Sequence, residues 1–190
     1  MSRLANEVGL KQSSLYYYFR SRDDVVLALV HRANVVPLEL IEHIIGGPGA
    51  VPVKLYRFVR GDVEALCVLP FDINEVHRIA ARDRDRFAEY WTDRARLERR
   101  LTGLIRAGVR EGVLRDVDAK LTALTIMAND EGVQNWYRLT PKASPGRIAR
   151  SLAQLTVAGL LPDGGRIALI TAGVEQIDGA ASKAPAKGPH

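Results

Sequence analysis

Residues 9–22 constrain this chain more than any other stretch. They read Gly-Leu-Lys-Gln-Ser-Ser-Leu-Tyr-Tyr-Tyr-Phe-Arg-Ser-Arg, the turn and second helix of a helix-turn-helix followed by the start of another helix. Just upstream, Leu4, Ala5 and Val8 give one apolar face to a short segment. Gly9 supplies a left-handed helix C-cap with no Cβ to clash. Leu10 is the apolar residue of the turn, and Leu15, Tyr18 and Phe19 share one face of the second helix. Ala5 is small where the two helices meet at the steep angle of this motif. Lys11, Gln12, Ser13, Ser14, Tyr16 and Tyr17 are left facing outward. They are donors, acceptors and aromatics, the types that reach phosphates and base edges from a helix in the major groove. A solvated amphipathic helix pair satisfies the same spacing.

A resemblance bears on that choice. Leu4-Ala5 with Gly9-Leu10, then Leu15-Tyr16-Tyr17-Tyr18-Phe19, then Ser21-Arg22-Asp23-Asp24-Val25 resembles the signature of the tetracycline-repressor (TetR) family of transcription regulators. The resemblance implies three N-terminal helices that bind DNA and a fourth that links them to an all-helical ligand-binding core. Residues 2–8 resemble the second helix, 12–18 the recognition helix, and 21 onward the fourth. It further implies that Lys11, Gln12, Ser13, Ser14, Tyr16 and Tyr17 contact DNA, with Arg22 on a phosphate. A basic amphipathic first helix is expected from an in-frame extension upstream. One departure stands out: Lys11 occupies the place of the hydroxyl residue that usually caps the recognition helix.

Ser21 and Asp24 read independently as a capping box, and Asp23 and Asp24 suit the positive end of a helix dipole. Val25, Leu29 and Val36 give that helix an apolar stripe, and Pro37 is expected to end or kink it. Gly46-Gly47-Pro48-Gly49 is a break. Leu55, Phe58, Val59 and Leu66 predict one helix, and Asp72 caps a shorter one carrying Ile73, Val76 and Ile79. The longest run, about 83–111, carries Phe87, Tyr90, Trp91, Leu97, Leu101, Leu104, Ile105 and Gly108, and Gly112 ends it. Two more follow, from Asp118 to about 139 and from Ser144-Pro145 to Leu160, with Pro145 suited to a first turn. The fold class is therefore all-α. The expected domains are 1–36 (reading head and start of the linking helix), 37–162 (effector binding and dimerisation), and 163–190 (a short extra helix on Ile167, Ile170, Val174 and Ile177, then a disordered tail).

The last two long helices resemble the pair through which such repressors dimerise. Gly132 and Gly159 each cost a helix about 1 kcal/mol relative to Ala, which is easiest to explain where another helix comes close. Leu121, Leu124, Ala128, Gly132, Ile148, Leu152, Leu155 and Gly159 are the expected homodimer interface. The middle of the chain is the expected effector site, with Phe58, Leu66, Cys67, Phe71, Val76, His77, Phe87, Tyr90 and Trp91 as candidate walls. Each also suits an ordinary core. A small apolar or amphipathic effector fits that composition.

Charge and cysteine usage narrow the class. The net charge of +5 and the pI near 9.6 favour a polyanionic partner. Eleven Arg against six acids in residues 78–115 suit a solvated helix face as well as a second nucleic-acid surface. The lone Cys67 excludes a disulfide framework within one chain and fits a cytoplasmic protein. No apolar run reaches membrane-spanning length. His31, His43, His77 and His190 are scattered without ligand-like pairing, no catalytic set groups by spacing, and no cofactor is expected. The reading is a ligand-responsive transcription regulator, most simply a repressor, binding operator DNA as a homodimer. The alternative is a helical small-molecule-binding protein that does not read DNA.

Overall fold

A computed structural model of the chain describes residues 22–137, 143–162 and 167–183. The helix-turn-helix stretch, including Lys11, Gln12, Ser13, Ser14, Tyr16 and Tyr17, lies outside the described residues, as does the tail from 184 onward. All regular structure among the described residues is helical, as the 3.6-residue period predicts. The helices are α1 (Arg22–Gly46), α2 (Val51–Val68), α3 (Ile73–Arg82), α4 (Ala88–Arg110), α5 (Ala119–Tyr137), α6 (Pro145–Leu160) and α7 (Ile167–Lys183).

Pro37 does not end α1, which continues through it over 25 residues. An interior proline costs about 3 kcal/mol. Val30, Ala33, Leu38, Ile41 and Ile44 are all buried on both sides of it, and each large apolar side chain is worth roughly 1.5–3 kcal/mol when fully buried. The burial outweighs the lost hydrogen bond. The apolar stripe is correspondingly different from the expected one, since Val36 is 39% exposed. Helix α1 ends where the glycine run begins: the Gly47 amide donates to the His43 carbonyl at 3.1 Å, and Gly49 has φ +116°.

Helix α2 is the centre of the bundle. Leu55, Phe58, Val59 and Val63 have no exposed surface, because α1, α4, α5, α6 and α7 all pack around it. The predicted run 83–111 is shorter as a helix. Residues 84–87 form a turn, in which the Arg86 amide donates to the Asp83 carboxylate at 3.1 Å, and α4 starts at Ala88. At its far end Gly108 lets α4 close on its neighbours, since a Cβ there would stand 2.7 Å from Leu114 and 2.8 Å from Val51. Gly112, with φ +67°, then turns the chain.

Asp118 caps α5, accepting from the Lys120 and Leu121 amides at 2.9 Å each. Asp72 caps α3 through the Asn74 amide. Ser144 occupies the N-cap of α6 ahead of Pro145, but its side chain makes no capping hydrogen bond. The short helix expected after Pro162 is a 17-residue α7. It seats Val174, 1% exposed, and its Asp178 pairs with Arg60 of α2 at 2.7 Å.

Candidate functional site

A cleft lies where α1, α2, α4 and α5 converge. Ala33, Asn34, Val36 and Pro37 of α1 form one wall; Asp62 and Leu66 of α2, Arg94 and Leu97 of α4, and Met127 and Glu131 of α5 form the rest. Val36 marks its mouth. Its free volume is about 30 Å³, room for one or two waters or a headgroup of that size.

The polar floor follows from helical register. Asp62 falls four residues before Leu66 and three after Val59, on the buried stripe of α2. Asp130 follows Met127 by three on α5, and Arg94 precedes Leu97 by three on α4. Each charge is carried into the interior by its apolar neighbours. Arg94 and Glu131 pair through two parallel hydrogen bonds of 2.6 and 3.0 Å, the fork geometry that makes such pairs strong. His77 Nε2 stands 3.1 Å from the same carboxylate, off the line of a good hydrogen bond. The Tyr90 hydroxyl and His77 Nδ1 are hydrogen bonded in turn.

These contacts sort the carboxylates into two kinds. Burial acts to raise Glu131, but His77 and Arg94 together hold it below the usual carboxylate range. Asp62 is pushed up to about 7, first by burial and then by the Glu131 charge, against the pull of Arg94. Asp130 is raised well above its ordinary value, by burial and then by Asp62, against the pull of Asn129, and neither of its oxygens has a well-formed hydrogen bond among the described residues. Neutral donors brace the surroundings. Asn34 donates to the Tyr90 carbonyl at 2.8 Å and ties α1 to α4. Gln134 accepts from the Ile73 amide and donates to the Leu66 carbonyl, both at 2.8 Å, fixing the α2–α3 connection on α5.

Of the candidate effector residues, Leu66 lines this cleft. Phe58, Cys67, Val76, Phe87 and Tyr90 are buried in the core, and Phe71 and Trp91 pack against it. His77 and Tyr90 are bonded to each other and stand behind the cleft, His77 against Glu131 and the Tyr90 carbonyl against Asn34. Trp91 donates from its indole to the Ala80 carbonyl at 3.2 Å, with the Arg84 guanidinium 4.3 Å over its ring. Sequence spacing singled out aromatics and missed Asp62, Arg94, Asp130 and Glu131. The available signal was charge on apolar stripes.

The expected interface residues divide as well. Leu121, Leu124 and Leu155 are 63%, 42% and 74% exposed, and Ala128 and Gly159 are exposed beside them. A Cβ at Gly132 or Gly159 would meet nothing within 4 Å in the monomer. Leu152 is half-buried, and Ile148 lies in the chain's own core.

A helical bundle entered by a long helix that follows a helix-turn-helix stretch is the architecture of TetR-type transcription regulators. Residues 72–160 match the family model described as tetracyclin repressor-like, C-terminal domain. No curated protein matches the sequence. Among solved structures, AmtR of Mycobacterium smegmatis is 25% identical with a TM-score of 0.70, covering 94% of this chain and 83% of its own. The ketosteroid transcriptional regulator KstR2 of Mycobacterium tuberculosis is 18% identical with a TM-score of 0.72, covering 84% and 83%. AibR, solved in complex with isovaleryl coenzyme A and operator DNA, is 14% identical with a TM-score of 0.63, covering 85% and 86%. The fold is thus that of TetR-family regulators.

Proposed function

We propose that the chain is an effector-responsive transcription regulator, a repressor in its simplest form, that reads operator DNA as a homodimer. The observation that carries this reading is the position of the cleft. One wall is α1, the helix that follows the helix-turn-helix stretch, and the opposite wall is α5, whose outer face presents Leu121 and Leu124. A guest in the cleft therefore touches both the helix that carries the reading head and the helix that would set the spacing of two copies. Binding that favours one position of α1 shifts the population of reading heads that match the half-sites, which lie about one helical turn of DNA or a multiple apart. AibR, crystallised with both a ligand and operator DNA, supports such a coupling on this fold.

The test is selection of duplex DNA from a random pool by the full chain. The selected sites should converge on a twofold-symmetric sequence. Gln12→Ala should then lose about 1–3 kcal/mol of discrimination at particular base pairs, whereas replacing Arg22 should weaken all sequences alike and flatten the salt dependence. A pool that never converges favours the alternative of a small-molecule-binding protein that does not read DNA.

A further inference from the structure

Charge on the cleft floor does not balance. Arg94 of α4 is engaged on both sides of its fork by Glu131 of α5, and His77 of α3 stands against that same carboxylate. Among the described side chains of α1, the polar one that lines the cleft is Asn34. Among the described residues two carboxylates have no cation within ion-pair distance: Asp62 on α2, which lines the cleft, and Asp130 on α5, buried behind it. Asp62 lines the cleft, is only 8% exposed, and has no hydrogen bond or ion pair within 4 Å among the described residues. A buried carboxylate in this position is costly without a partner. The empty protein relieves it by holding a proton, since burial and the neighbouring carboxylates raise both groups. A guest can relieve it with a cation.

The geometry points to an effector with a primary ammonium head, seated on Asp62, with its apolar portion leaving past Val36. This rests on the effector reading above and sharpens it, from any small amphipathic molecule to a cationic one. Size agrees with charge. The free volume of about 30 Å³ holds a group of the size of one or two waters, which suits an ammonium. Val36, Pro37 and Leu69 give the same cleft an apolar rim, over which the chain of such a guest would lie outside the small volume filled by its head. A carboxylate head would meet the like charges of Asp62 and Glu131, and the cation that lines the cleft among the described residues, Arg94, is already forked onto Glu131.

Calorimetric titration of the full chain with n-octylammonium, n-octanol and octanoate tests this directly. Octylammonium should bind at least about tenfold tighter than octanol or octanoate, the scale of one charge-assisted hydrogen bond. Asp62→Asn should erase that preference while octanol binding persists, and its own melting curve reports whether it folds. Tightest binding of octanol or octanoate overturns the cationic assignment and leaves the effector reading standing. Octylammonium binding unchanged in Asp62→Asn also overturns it. Binding of none of the three overturns both readings. The ranking of probes on the unaltered chain decides the matter even if the variant misfolds.

Discussion

Asp62 and Glu131 sit in one cleft, yet their environments give them opposite effects on stability. Asp62 binds its proton more tightly folded than unfolded, so its contribution is full below pH 4 and is lost as pH rises through about 7. Glu131 is held below its ordinary value, so its contribution is present above the unfolded value and is lost on acidification. Asp62→Asn should therefore stabilise the chain at pH 8 by up to a few kcal/mol, since a shift of this size corresponds to roughly 4 kcal/mol when fully realised. The gain should shrink towards pH 5, where the carboxyl is already protonated. Thermal melts of both proteins at the two pH values measure it, and a variant less stable at pH 8 contradicts the placement of Asp62. Glu131→Gln should act in the other direction. It leaves Arg94 partly buried beside a neutral amide, and should cost roughly 2 kcal/mol or more at pH 7 by denaturant unfolding. Neither residue stood out from spacing alone, because each occupies a position that an apolar side chain would fill without notice.

At the scale of the helices, most of the architecture was legible. The glycine break at 46–49, the Asp72 cap, the helix start at Asp118, and the stops at Gly112 and Pro162 all lie where local chemistry put them. Two features were not. Pro37 is a strong local signal that tertiary burial overrides, since Ile41 and Ile44 anchor α1 beyond it as Val30 does before it. The α3–α4 boundary is hidden because residues 83–87 keep a helix-like composition through the turn. Which side chains border the cleft depends on how α1, α2, α4 and α5 are set against one another, and no single-helix period contains that. The Gly108 contact gives a test of this packing. Gly108→Ala would place a Cβ 2.7 Å from Leu114 and 2.8 Å from Val51. Despite the better helix propensity of alanine, it should destabilise the chain by about 1–3 kcal/mol, read as a lower denaturant midpoint. An unchanged or raised midpoint would mean that α4 and α2 do not close so tightly.

For the whole molecule, the outer faces of α5 and α6 hold the next question. Leu121, Leu124 and Leu155 are exposed on a helix pair with open glycines beside them, and a twofold pairing of the same patch on two copies would cover them. Leu155→Glu should convert a dimer into monomers in light scattering, because the charge would be buried in the pairing and cost nothing on a free surface. A dimer unaffected by it places the interface elsewhere, and Gly132→Arg serves as an independent check. On the proposed function, one cleft reaches both the helix that would carry the reading head and the helix that would join two copies. The measurement that tests that coupling most directly is the affinity of the full chain for its selected duplex, by fluorescence anisotropy, with and without saturating amounts of the alkyl probe that the cleft binds. The expected result is a change of at least about fivefold in Kd, the lower end of measured couplings between sites, and its loss when Asp62 is replaced. Equal affinity with the cleft empty and filled would contradict the claim that this cleft governs the reading of DNA.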